Sequence, residues 1–149
     1  MPYADLLKGR ISMVGQVYLV TTVTHRRIRW FDNLDCSRLL VTEMRLLHET
    51  HVLQSLAWVI MPDHLHWLLA LGEGSALGET MRRLKGRSAK SINRSSHKNG
   101  SVWQHGYHEH ALRAEEDIAD VARYIVANPL RAGLVTSLAD YPLWDAAWL

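Results

Sequence analysis

Two apolar runs joined by Met61-Pro62-Asp63 constrain this chain more than any other stretch. The first, Leu53 to Ile60, ends in Ala57-Trp58-Val59-Ile60; the second opens on His64-Leu65-His66 and continues as Trp67-Leu68-Leu69-Ala70-Leu71. Apolar runs of this length bounded by turn residues suit strands, and proline favours a turn between them. The segment predicts a β-hairpin closed by Gly72-Glu73-Gly74, with both histidines at its turn end. Residues two apart on a strand share a face, so His64 and His66 are placed to hold one metal ion.

Other elements follow from pattern. Gln16 to Thr24 is rich in β-branched and aromatic residues and predicts a strand. From Asp35 to about Thr50, Leu39, Leu40, Met44, Leu46 and Leu47 recur at helical spacing, with Asn33 or Asp35 as N-cap. Ser75 to about Arg94 predicts a long basic helix, and Ser95 to Ser101 a loop. Tyr107 to Arg113 predicts a fourth strand. A helix then opens at Ala114-Glu115-Glu116-Asp117, with acids where the helix dipole favours them, and runs to about Asn128, where Pro129 ends it. The order β-α-β-β-α-β-α predicts an α+β fold: a ferredoxin-like β-α-β-β-α-β unit with an additional C-terminal helix, its antiparallel sheet covered by helices on one face. With 149 residues and no repeat, one domain over residues 1–149 is expected. The stretch from Leu134 to Leu149, with Tyr141, Pro142, Trp144 and Trp148, is apolar enough to pack back on the body or on a partner chain.

Composition narrows the function classes. No apolar run approaches the roughly 18 residues of a membrane helix, and the first residues lack a signal-peptide pattern, so a cytoplasmic, nucleoid-associated protein is expected. Cys36 is the single cysteine and reads as a structural thiol in a helix. The net charge of +2 conceals clustering. Arg26 and Arg27 form one basic group, and Arg82, Arg83, Lys85, Arg87 and Lys90 form another. Such groups track a phosphate backbone, although a solvated helix face is the plainer account of any one of them.

Tyr124 and Asn128 lie one helical turn apart and share a face. Two imidazoles and a carboxamide oxygen leave positions open for phosphate oxygens and water, which suits Mg²⁺ or Mn²⁺, the nitrogens favouring Mn²⁺. A phenol attacking phosphorus conserves the phosphodiester's energy in a phosphotyrosine bond, so cleavage and rejoining become one reversible reaction. A tyrosine on an amphipathic helix is more often core, and an isolated His-x-His pair more often ordinary. His108-Glu109-His110 repeats the spacing without a nucleophile or third ligand nearby. Trp103 and Tyr107 either offer faces to unpaired bases, worth about 1–3 kcal/mol per base, or fill the core. No Walker, Rossmann or Ser-His-Asp pattern is present.

Taken together, Met61-Pro62-Asp63-His64-Leu65-His66, Arg82-Arg83-Leu84-Lys85, Val102 to Arg113 and Tyr124 to Leu134 resemble the REP-associated tyrosine transposases, relatives of the single-tyrosine HUH transposases of insertion sequences. The resemblance implies metal-dependent cleavage and rejoining of single-stranded DNA at palindromic hairpins, which are repetitive extragenic palindromes or transposon ends. It implies that His64 and His66 bind the metal, that Asn128 is the third ligand, and that Tyr124 becomes linked to the 5′ phosphate. Arg26, Arg27, Arg82, Arg83, Lys85, Arg87, Lys90, Trp103 and Gln104 would then contact DNA, in a monomer or a homodimer. Two other readings use the same residues: a structured-nucleic-acid binding module without catalysis, and a water-using metal-dependent phosphodiesterase.

Overall fold

A five-stranded antiparallel sheet, in the order β4-β1-β3-β2-β5, organises the computed structural model, which describes residues 15–113 and 117–146. The strands are β1 (Val17–Val23), β2 (Leu53–Met61), β3 (His64–Leu71), β4 (His108–Ala111) and β5 (Trp144–Ala146). Helix α1 (Leu34–Glu49) follows β1 and α2 (Leu77–Ser96) follows β3. This is the expected ferredoxin-like arrangement, with β3 paired on both sides because it is the most apolar strand. Its Trp67 is fully buried and donates its indole N–H to Ser55 Oγ at 2.9 Å, so the burial leaves no polar atom unpaired.

Helix α1 starts at Asn33, whose side chain accepts from the backbone N–H groups of Asp35 and Cys36. Its Leu40, Met44 and Leu47 pack with Leu77, Met81, Leu84 and Ile92 of α2 against Val20, Leu65, Trp67 and Leu69 of the sheet. Cys36 is buried in this layer, as a structural thiol should be.

The opposite face of the sheet is also covered, which corrects the expectation of helices on one face. Helix α3 (Ile118–Val126) lays Ala122, Ile125 and Val126 on Leu56, Ala57, Val59, Met61 and Leu68. Strands apolar on both sides need cover on both sides. A bulge between Ser55 and Ala57 turns both Leu56 and Ala57 toward α3, which breaks the strict alternation of β2.

Several boundaries move. Asp117 is the N-cap of α3, accepting from the N–H groups of Ala119 and Asp120; Ala114, Glu115 and Glu116 lie outside the described residues. The helix ends at Val126 rather than at Asn128, and after Ala127 a short α4 (Asn128–Arg131) resumes with Pro129 in its first turn. Proline lacks an N–H, so a helix start accommodates it where a helix interior does not. Helix α2 takes in Ser95 and Ser96 before His97 caps it in a left-handed conformation, and β4 is shorter than the expected strand. The C-terminal stretch packs back on the body: β5 pairs with β2, and the Tyr141 hydroxyl donates to the Ile60 carbonyl at 2.5 Å. Trp148 lies outside the described residues. Among the described residues, no helix is long and apolar enough to cross a membrane.

Candidate active site

His64 and His66 stand on the α3 side of β3, because Leu65 and Trp67 between and beside them point into the α1–α2 core. Their rings meet edge to face with centroids 4.8 Å apart. Each Nδ1 already has a partner. That of His64 lies 2.7 Å from Asp63 Oδ1, and that of His66 lies 2.7 Å from Thr21 Oγ1, directly across the strand pair. A carboxylate only accepts, so Nδ1 of His64 carries a proton, and the ring in its neutral form would turn its Nε2 lone pair to a metal. The Thr21 hydroxyl can accept from His66 in the same sense. Partners of this kind fix the tautomer and orientation of metal-binding histidines.

The electrostatics agree with that use. Burial, then the charges of His64 and Arg131, push the His66 imidazole down to about 4, so it is the neutral, ligating form near pH 7. Burial would raise the Asp63 carboxyl, but hydrogen bonds and charge from His64 and Arg27 hold it below its ordinary value. Among the described residues no group of three His, Cys, Asp or Glu side chains forms a metal-sized cluster. Asn128, at the start of α4, carries a carboxamide oxygen, a donor of another type. Two nitrogens and an amide oxygen fit Mn²⁺ or Mg²⁺ with positions left over.

The segment after β1 wraps this end of the sheet. Thr24 donates its N–H to the Asp63 carbonyl at 2.9 Å, and Phe31 donates to the Pro62 carbonyl at 3.0 Å. Arg26 and Arg27 take left-handed backbone, φ 56° and 53°. Such strain costs about 1–3 kcal/mol per residue and is held where the surroundings fix it. It brings Arg27 within 3.3 Å of Asp63, so one of the expected DNA contacts is linked through a carboxylate to His64.

Tyr124 is 65% exposed on α3. The Arg131 guanidinium lies over its ring, 3.9 Å from the centroid, and donates to Asn128 Oδ1 at 2.6 Å. Arg131 thus touches Tyr124 and Asn128 and acts on His66 through its charge. Arg131 lies beyond Pro129, where the sequence pattern ends the helix of Tyr124, and three positions after Asn128 within α4.

The second basic group lies across the sheet. Arg82, Arg83, Arg87 and Lys90 of α2 are exposed; Arg82 pairs with Glu79, and Arg87 with Glu43 at 2.7 Å. Lys85 donates to the carbonyls of Gln104 at 2.7 Å and Gly106 at 2.5 Å, and its half-burial lowers its pKa. It pins a loop that borders a groove of about 680 Å³ along α2, with Arg82, Gln104 and Tyr107 in its walls. Trp103 does not present a face for base stacking, contrary to one of the two expectations for it. It is buried against Phe31 with its N–H donated to Ser88 Oγ at 3.0 Å, and is core. Gln104 is exposed, and its backbone N–H bonds the Val23 carbonyl, which ties the groove to the histidine end of the sheet.

Residues 13–128 match the family described as "Transposase IS200 like". The chain belongs to this family. Within it, the chain is 28% identical over 125 residues to the REP-associated tyrosine transposase of Escherichia coli K12, covering 76% of this chain and 73% of that protein. The fold is similar to that of a REP-associated tyrosine transposase bound to a REP hairpin, with a TM-score of 0.72, 23% identity and coverage of 89% of this chain and 78% of that one. It is also similar to a candidate transposase from Deinococcus radiodurans R1, with a TM-score of 0.56, 23% identity and coverage of 75% and 90%.

Proposed function

We propose that this IS200-like family member is a metal-dependent single-stranded DNA endonuclease and strand transferase acting on hairpin DNA. The observation that supports the reading is the His64–His66 pair with both Nδ1 atoms engaged, as the supporting partners of metal-binding histidines would engage them. His64, His66 and Asn128 would hold Mg²⁺ or Mn²⁺, which would polarise the scissile phosphate.

Tyr124 is the nucleophile in this reading. Its phenol oxygen bonds to phosphorus as its proton passes to water, the bond from phosphorus to the 3′ oxygen breaks, and that oxygen leaves as a hydroxyl after taking up a proton. The 5′ phosphate stays on Tyr124, and attack by a 3′ hydroxyl reverses the step. Exposure supports Tyr124 over Tyr141, whose hydroxyl is held by the Ile60 carbonyl and which burial pushes up to about 12. Arg26 and Arg27 at the histidine end, Arg82 and Gln104 in the wall of the α2 groove, and Arg83, Arg87 and Lys90 exposed elsewhere on α2 offer phosphate contacts for a hairpin and its unpaired flank. A REP hairpin, the ligand of the structural relative, is the substrate class to try first.

A covalent-adduct assay tests the reading. The chain is incubated with labelled hairpin oligonucleotides from its genomic neighbourhood, with Mn²⁺ or EDTA, beside Tyr124→Phe. A Mn²⁺-dependent adduct that survives denaturation and is absent from Tyr124→Phe is expected. Cleavage without an adduct would replace this reading with a water-using phosphodiesterase, and binding alone would replace it with a binding module.

A further inference from the structure

We propose that Arg131 couples the metal site to DNA: in the DNA-free chain it occupies the Asn128 carboxamide and covers the Tyr124 ring, and a bound phosphate draws it off both. This inference rests on the function proposed above and deepens it.

The geometry puts one cation on two of the groups the reaction needs. The Arg131 guanidinium donates to Asn128 Oδ1 at 2.6 Å, the same oxygen a divalent ion would take. Its Cζ lies 3.9 Å from the Tyr124 ring centroid. Among the described residues Arg131 has no carboxylate partner, so its charge has no nearby anion to meet. A guanidinium carries five N–H donors in a plane and prefers two parallel bonds to one phosphate over a single bond to a neutral amide. A divalent ion beside the histidines meets this charge as a repulsion, and a phosphate placed between the two cations removes it. Metal and DNA therefore help each other to bind, and by linkage each raises the other's affinity by the same factor. Arg131 is in these terms a positioning residue: it holds the Tyr124 ring in place and occupies the third ligand until a phosphate is present.

Lysine keeps the charge but has no plane to stack, and glutamine removes the charge, so the two substitutions separate the effects. Calorimetry with Mn²⁺ on the full chain, in a Tyr124→Phe background that prevents turnover, reads the coupling directly. A hairpin oligonucleotide is expected to tighten Mn²⁺ binding by about tenfold, within the usual range of coupling between sites. Arg131→Gln is expected to bind Mn²⁺ about tenfold more tightly without DNA, and the hairpin then to add less than about twofold. With Tyr124 present, Arg131→Gln should form adduct more slowly despite its tighter metal; Arg131→Lys should keep weak metal binding and also form adduct slowly. Thermal unfolding of both variants checks that this exposed substitution leaves the fold intact.

Unchanged Mn²⁺ affinity in Arg131→Gln, or a hairpin without effect on Mn²⁺ binding in the Tyr124→Phe chain, overturns the inference. A His66→Ala control separates the two failures. If it abolishes Mn²⁺ binding while Arg131→Gln changes nothing, only the coupling is wrong. If it leaves Mn²⁺ binding unchanged, the metal assignment and the coupling fall together.

Discussion

His64 and His66 on β3, and His108 and His110 on β4, have the same spacing, and strand register puts them on the same face of one sheet. Thr21 pairs with His66 on one side and with His108 on the other. The surroundings differ. The β3 pair is partly buried on a strand hydrogen-bonded along both edges, with a carboxylate and a hydroxyl holding the Nδ1 atoms. The β4 pair is exposed on an edge strand of four residues. Spacing makes two rings neighbours; burial and held ring orientations are what a ligand pair would need besides.

The largest effect should come from removing the rings themselves. His64→Ala or His66→Ala is expected to weaken Mn²⁺ binding by more than about 100-fold, beyond what the loss of a supporting partner costs, and to abolish adduct formation. The double variant His108→Ala, His110→Ala should bind Mn²⁺ as the parent chain does. Calorimetry on the three variants checks this, and a loss of metal in the β4 variant would mean that spacing and face alone had defined the site.

Acid should reveal the burial of the inner pair. The unfolded chain takes up a proton on His66 near 6.5, whereas the folded chain holds it off until about 4. Between those values the unfolded state binds more protons, so stability falls as the pH falls through this window. The loss approaches about 2 kcal/mol after allowance for the ring's remaining contact with water. Denaturant unfolding of metal-free chain from pH 7 to pH 4 should show this loss, and His66→Gln, which has nothing to protonate, should lack it. Parallel curves for the two chains would mean that His66 is not desolvated in solution.

Most of this contrast was legible in the sequence, and the parts that were not have physical reasons. The hairpin, α1 with Asn33 as one of two cap candidates, and the order of elements along the chain follow from local pattern, which needs only neighbours in sequence. The placement of α3 on the second face depends on what Leu56 and Ala57 do, and a bulge that turns both to one side has no signature in a residue list. Trp103 was readable as a stacking platform or as core; a serine hydroxyl from α2 and the ring of Phe31, both distant in sequence, make it core. Asp63 and Thr21 matter through hydrogen bonds to the histidines, and Thr21 is reached only across a strand pair 45 positions away. Strand β5 is three residues long and borrows its order from β2, so local propensity says little about it. Arg131 lies beyond Pro129, past the expected end of the Tyr124 helix, so its contact with the tyrosine ring had no local signal.

The smallest expected effects discriminate best, because they leave all four histidines in place. Asp63→Asn replaces a charge-assisted partner of His64 by a neutral one, and Thr21→Val removes the partner of His66 while keeping a β-branched side chain suited to the strand. Each should weaken Mn²⁺ binding by about tenfold, toward the low end of the range for such supporting groups, with Asp63→Asn the larger. Calorimetry of both variants separates two accounts of the β3 pair. If both weaken the metal, fixed ring orientation is what distinguishes β3 from β4. If only Asp63→Asn does, the distinction lies in negative charge behind His64, and an acidic residue placed behind His108 should then begin to turn the β4 pair into a second metal site.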